Sequence, residues 1–115
     1  MKGRIGDPQR LAHILAATDE AIGFVQDFTF DQFSADTRTL NACVRSIEVV
    51  GEAARHLTDA TKEQYPQVPW QKMVALRNFV IHQYFDVDNN VLWEVLTAFL
   101  PAIRPDLEAA IKAQI

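Results

Sequence analysis

The sequence predicts an all-α fold, an up-down bundle of four to five helices, on two observations. Apolar residues recur every three or four positions in several separate stretches, and no stretch sustains the alternation of a half-buried strand. With 115 residues, 49% apolar and 23% charged, the chain has material for one compact core. Residues 1–115 are therefore expected to form a single domain.

The first helix is expected from Pro8 to about Phe28. Asp7 stands where an N-cap belongs, Pro8 suits a first helical position, and Leu11, Ile14, Leu15, Thr18, Ile22, Val25 and Phe28 follow at helical spacing. The stretch from Thr29 to Asp36 mixes Phe30 and Phe33 with Asp31, Ser34 and Asp36, which predicts a connection whose aromatics pack inward. A second long helix starts near Asp36 or Thr37. In it Leu40, Cys43, Val44, Ile47, Val50, Ala54 and Leu57 form an apolar stripe beside a charged one of Arg45, Glu48, Glu52 and Arg55. Gly51 falls within the apolar stripe, at a cost of about 1 kcal/mol relative to alanine, a cost that close approach of a neighbouring helix or chain would justify.

Tyr65-Pro66 and Val68-Pro69 interrupt helicity, because a residue before proline avoids the helical region, so a loop or short helical turn is expected there. Helicity resumes from Trp70 to about His82. After the polar cluster Asp86 to Asn90, a last helix carries Leu92, Val95, Leu96, Phe99, Leu100 and Ile103, and Pro101 and Pro105 are expected to kink or split it.

Composition narrows the function. Eleven basic and fifteen acidic residues give a net charge of −4, so any nucleic-acid contact must be local. The single cysteine, Cys43, permits no internal disulfide and points to a reducing compartment, the cytoplasm. It lies in an apolar stripe without a basic activator and reads as a core residue, not a nucleophile. Met1 to Asp7 has no apolar leader core and no stretch is apolar enough for a membrane span, so neither secretion nor membrane insertion is expected.

The stretch from Met73 to Asp88 carries the chemical signal. Trp70, Met73, Val74, Val80, Ile81 and Tyr84 share one face, and Arg77, seven residues from both Trp70 and Tyr84, projects from its middle. A buried unpaired guanidinium would cost several kcal/mol, so Arg77 needs an acidic partner such as Glu48 or Glu52, or it faces a cleft or a subunit interface. Asn78 and His82 are one helical turn apart on the adjacent face. Arginine matches the charge and geometry of phosphate and histidine moves protons near neutral pH, a pairing suited to phosphodiester chemistry. An arginine and a histidine on one helix are also commonplace, so spacing alone does not decide.

The run Arg77-Asn78-Phe79-Val80-Ile81-His82-Gln83-Tyr84 resembles the Arg-x4-His-x-Tyr signature of HepT-like HEPN proteins. Upstream, Arg45-Ser46-Ile47-Glu48-Val49-Val50-Gly51-Glu52-Ala53 is similar to that family's pattern ending in Gly-Glu-Ala, and the likeness extends over roughly Leu40 to Leu100, with Trp70, Asp88 and Pro101 also fitting. The resemblance implies a HEPN bundle that forms a homodimer with the two Arg-His motifs converging on a shared cleft. It further implies metal-independent cleavage of RNA, tRNA or mRNA among the candidate substrates, by the toxin of a toxin–antitoxin pair. The implied partner is a small nucleotidyltransferase antitoxin that places AMP on Tyr84. In that reading Arg77 and His82 are catalytic, Asn78, Glu48 and Glu52 are supporting, and no metal or other cofactor is required.

Three other readings compete. A metal hydrolase is disfavoured because Glu52-x3-His56 and His82-x3-Asp86 each supply only two ligands, with His13 far from both in sequence. A non-catalytic helical dimer that binds a nucleotidyltransferase partner or a nucleotide would use the same Arg77 and His82 to hold a phosphate; the intact Arg-x4-His pair favours the enzyme. A purely structural bundle would leave Arg77 no purpose beyond an ion pair.

Overall fold

The computed structural model describes residues 5–82 and 88–113; for 77–82 it describes the helical backbone and not the side chains. The elements are α1 (Asp7–Phe24), α2 (Phe30–Ala35), α3 (Thr37–Arg55), α4 (Asp59–Gln64), α5 (Trp70–His82) and α6 (Asn89–Glu94). A π-helical turn (Val95–Phe99) then leads into α7 (Leu100–Ala113). There is no strand among the described residues. The all-α expectation holds: α1, α3, α5 and the run from Asn89 to Ala113 are the long members, and the six-residue helices α2 and α4 are additions to it.

Asp7 does not cap α1. Gly6 occupies the N-cap position and its N–H donates to Gln9 Oε1 at 3.2 Å. The Asp7 carboxylate reaches across the fold instead, accepting hydrogen bonds from Thr58 Oγ1 at 2.6 Å, Thr61 Oγ1 at 2.5 Å and the Thr58 N–H at 3.3 Å. Those bonds tie the first turn of α1 to the residues just beyond the end of α3, so α1 and α3 run antiparallel. Partial burial pushes the Asp7 carboxyl up, but the hydrogen bonds from Thr58 and Thr61, with Arg10 nearby, outweigh it and hold the pKa below the usual 3.8. A carboxyl depressed in the folded state adds stability above its unfolded pKa and loses it as pH falls through the folded value. Asp7→Asn is expected to cost about 1–2 kcal/mol in urea unfolding at pH 7, with the gap to the parent narrowing below about pH 4.

The first helix ends at Phe24, four residues before the expected stop. Gln26 N–H bonds to Gly23 O at 3.2 Å and Phe28 N–H to Val25 O at 3.0 Å, and Asp27 takes a left-handed φ of 68°, a conformation that aspartate tolerates better than most residues. The expected connection contains a short helix, α2. Thr29 Oγ1 accepts from Gln32 N at 3.1 Å and Gln32 Oε1 accepts from Thr29 N at 2.9 Å, a reciprocal capping box that starts α2. The expectation that its aromatics face inward holds, since Phe33 is fully buried and its ring lies 5.1 Å from that of Trp93, with Phe30 edge-on to the same indole at 6.0 Å.

α3 starts where expected, at Thr37, with Asp36 as its cap, accepting from Thr39 N at 3.3 Å. Cys43, Ile47, Val50 and Ala54 fill its buried face, and α3 packs against α1 on one side and α5 on another, with α7 on the far side of α1. Gly51 is buried on α3. Burial pushes the Cys43 thiol up to about 11, the behaviour of a core residue rather than a nucleophile. Arg104 fixes α7 on α1 through Nε and Nη2 bonds to the two Asp19 oxygens, at 2.6 and 3.2 Å.

The last helical run is split next to Pro101, as expected, whereas Pro105 lies within α7. The π turn immediately precedes Pro101, and in it the Leu100 N–H donates five residues back to Val95 O. That wider turn makes room for the pyrrolidine ring where a regular turn would clash, and helix continues through Pro105 to Ala113. No helix among the described residues is long and apolar enough to cross a membrane.

Candidate active site

The motif helix is anchored at its start. The Trp70 indole N–H donates to Tyr65 O at 3.0 Å and Lys62 O at 3.2 Å, carbonyls at the end of α4, and Tyr65 O also accepts from Val68 N–H at 3.2 Å. Trp70 is 6% exposed and Met73 fully buried, and Val74 and Leu76 pack at the edge of the core. α5 then continues unbroken through Arg77, Asn78 and His82. Arg77 follows Met73 by four residues and Trp70 by seven, the register that continues the buried stripe. An α-helix puts Arg77 and His82 about 7.5 Å apart along its axis and about 140° apart around it, with Asn78 one turn before His82. The side chains of Arg77, Asn78 and His82, and all of Tyr84, lie outside the described residues.

The supporting carboxylates are described. Glu48 and Glu52 are half-buried on α3, the helix that packs along α5. Glu52 Oε2 is 2.8 Å from His56 Nε2 and its Oε1 is 3.6 Å from Arg55 Nη1. That part of the charged stripe is thus an ion-pair network along α3 itself. Histidine 56 belongs to this network, and its spacing of four from Glu52 is the sequence signal for it. Two further groups, Arg10 and His13 of α1, arrive by tertiary packing and line one cleft of about 310 Å³ with Arg45, Glu48 and Glu52 of α3. Among the described residues, no three His, Cys, Asp or Glu side chains are grouped as metal ligands would be.

The family model described as "Ribonuclease HepT-like" matches residues 14–112. The chain belongs to the HepT-like ribonuclease family. By class it is a ribonuclease, and the matched span takes in α3, α5 and the whole Arg77–Tyr84 block. Among curated proteins this HepT-like chain is 38% identical over 102 residues to "Putative RNase MJ0127" of Methanocaldococcus jannaschii, covering 89% of this chain and 84% of that protein. It is 35% identical over 98 residues to "Putative RNase MJ1380" of the same organism, covering 85% and 90% respectively. To "Probable ribonuclease HepT" of Thermococcus cleftensis it is 34% identical over 93 residues, covering 77% and 84%. No solved structure matches the chain at a comparable level of significance.

Proposed function

We propose that the chain is the toxin of a HEPN–nucleotidyltransferase pair, a metal-independent endoribonuclease that works as a homodimer. The observation that carries this reading is an intact Arg-x4-His-x-Tyr block, begun on an anchored helix, inside a family match that spans residues 14–112. In the proposed reaction the RNA 2′-hydroxyl attacks the adjacent phosphorus, forming the O2′–P bond as the P–O5′ bond breaks. His82 takes the 2′ proton, and His82 of the partner subunit returns a proton to the departing 5′ oxygen. Arg77 holds the phosphoryl oxygens as charge builds on them, and Asn78 orients His82 or the phosphate. Glu48 and Glu52 on the neighbouring helix support the position of Arg77.

One motif histidine per chain, for a reaction that uses both a base and an acid, gives dimerisation its purpose. In this reading Tyr84 belongs to the cleft that the two Arg-His motifs share, so AMP placed on it by the cognate nucleotidyltransferase would block RNA by bulk and by negative charge. The test is incubation with total RNA in EDTA, with Tyr84 shown unmodified by intact mass. Cyclic phosphate and 5′-hydroxyl ends are expected, and DNA of the same sequence, lacking the 2′-hydroxyl, is left whole. Dependence on added metal, or 5′-phosphate ends, would overturn the mechanism.

A further inference from the structure

The cleft between α1 and α3 combines features that the proposed reaction does not use. Arg10 and His13 are one turn apart on α1, and Arg45 meets them from α3. Among the described residues, none of the three has a carboxylate within salt-bridge distance. Arg10, which also lies near the Asp7 carboxylate, and Arg45 line one recess without a direct ion pair, in a chain whose net charge is −4. Of the two acidic groups that share the cleft, Glu52 is engaged with Arg55 and His56. Two guanidiniums and the His13 imidazole then share a recess of about 310 Å³ with one further carboxylate, Glu48. The recess opens beside Glu48 and Glu52 of α3, the helix along which α5 carries the Arg-His motif.

Resting on the ribonuclease reading above, we propose that Arg10, His13 and Arg45 form a binding site for a backbone phosphate of single-stranded RNA, away from the phosphate that is cut. Planar guanidiniums match phosphate oxygens in charge and in paired hydrogen-bond geometry, and contacts of this kind hold a strand in register without reading its bases. The site supplies the local positive charge that an acidic RNA-binding chain needs.

The test uses the full chain carrying His82→Ala, so that RNA is not consumed, and a fluorescent single-stranded RNA oligonucleotide followed by anisotropy over a range of salt concentrations. Adding Arg10→Gln and Arg45→Gln is expected to raise Kd about tenfold or more and to flatten the slope of log K against log salt by about 1.4, two contacts at about 0.7 each. Arg45→Lys, which keeps the charge, is expected to recover much of the single-site loss, and circular dichroism checks that each variant is folded. Unchanged Kd and slope in the double variant overturn the site. If the parent chain cuts RNA while the double variant binds normally, the phosphate site alone fails. If RNA binding depends on these arginines but the parent does not cut, the nuclease reading fails and the site stands. If the parent neither binds nor cuts RNA, both fail.

Discussion

His82→Ala is expected to lower RNA cleavage by about 10²–10⁴-fold, the usual worth of one positioned proton-transfer group. The helix should survive, because alanine is a better helix former than histidine and α5 is anchored well upstream, by Trp70 and Met73. Unchanged circular dichroism and thermal midpoint together with lost cleavage would place the defect in chemistry. Dimerisation makes the prediction sharper. If each cut uses one His82 from each chain, a heterodimer of parent and His82→Ala chains should be nearly as impaired as the double-mutant dimer. A heterodimer at half the parental rate would mean that each chain carries a complete site, and full activity in the His82→Ala homodimer would remove His82 from the mechanism. Arg77→Lys adds a second discrimination, since it keeps the charge but loses the paired donors; a large loss there marks oriented phosphate contact rather than simple attraction.

How much was visible in the sequence follows from the range of each interaction. Helices α1, α3 and α5 announced themselves because a stripe repeated over three or more turns is a strong periodic signal, and Asp36 was legible as a cap because its partner, Thr39, is three residues away. Helices α2 and α4 span six residues each, too few for a stripe to repeat. The Thr29-x2-Gln32 box was nonetheless there to be read. Asp7 misled because its partners, Thr58 and Thr61, are more than fifty residues away, while the local cap fell to Gly6 and Gln9. Pro101 marked where the last helical run is interrupted, but not the form of the interruption, a π turn that leaves no simple mark in composition, and Pro105 sits within α7 without splitting it. The same division runs through the proposed sites. Arg77, Asn78, His82 and Tyr84 form a local motif and could be named from order alone. Arg10, His13 and Arg45 are scattered along the chain, and only the antiparallel packing of α1 on α3 gathers them.

Phe33→Ala is expected to be the most damaging of simple core truncations outside the long helices, at about 3–5 kcal/mol. Phe33 lies in the stretch that composition assigns to a connection, where a truncation would ordinarily cost little. In the fold it is fully buried, and with Phe30 it holds the Trp93 indole, so one ring links α2 to α6 and the start of the last helical run. A six-residue helix has little stability of its own, since the cost of nucleation is spread over few hydrogen bonds. Removing the ring therefore leaves a cavity and also releases the helix that carried it. Against a total stability of about 5–15 kcal/mol for a domain, that loss should bring the unfolding midpoint down steeply in urea. Phe24→Ala is the matched control: Phe24 is 40% exposed at the end of α1, and its truncation should cost far less. A Phe33→Ala chain as stable as the Phe24→Ala chain would mean that α2 is not part of the core, and that α6 is held by something other than its aromatic clasp.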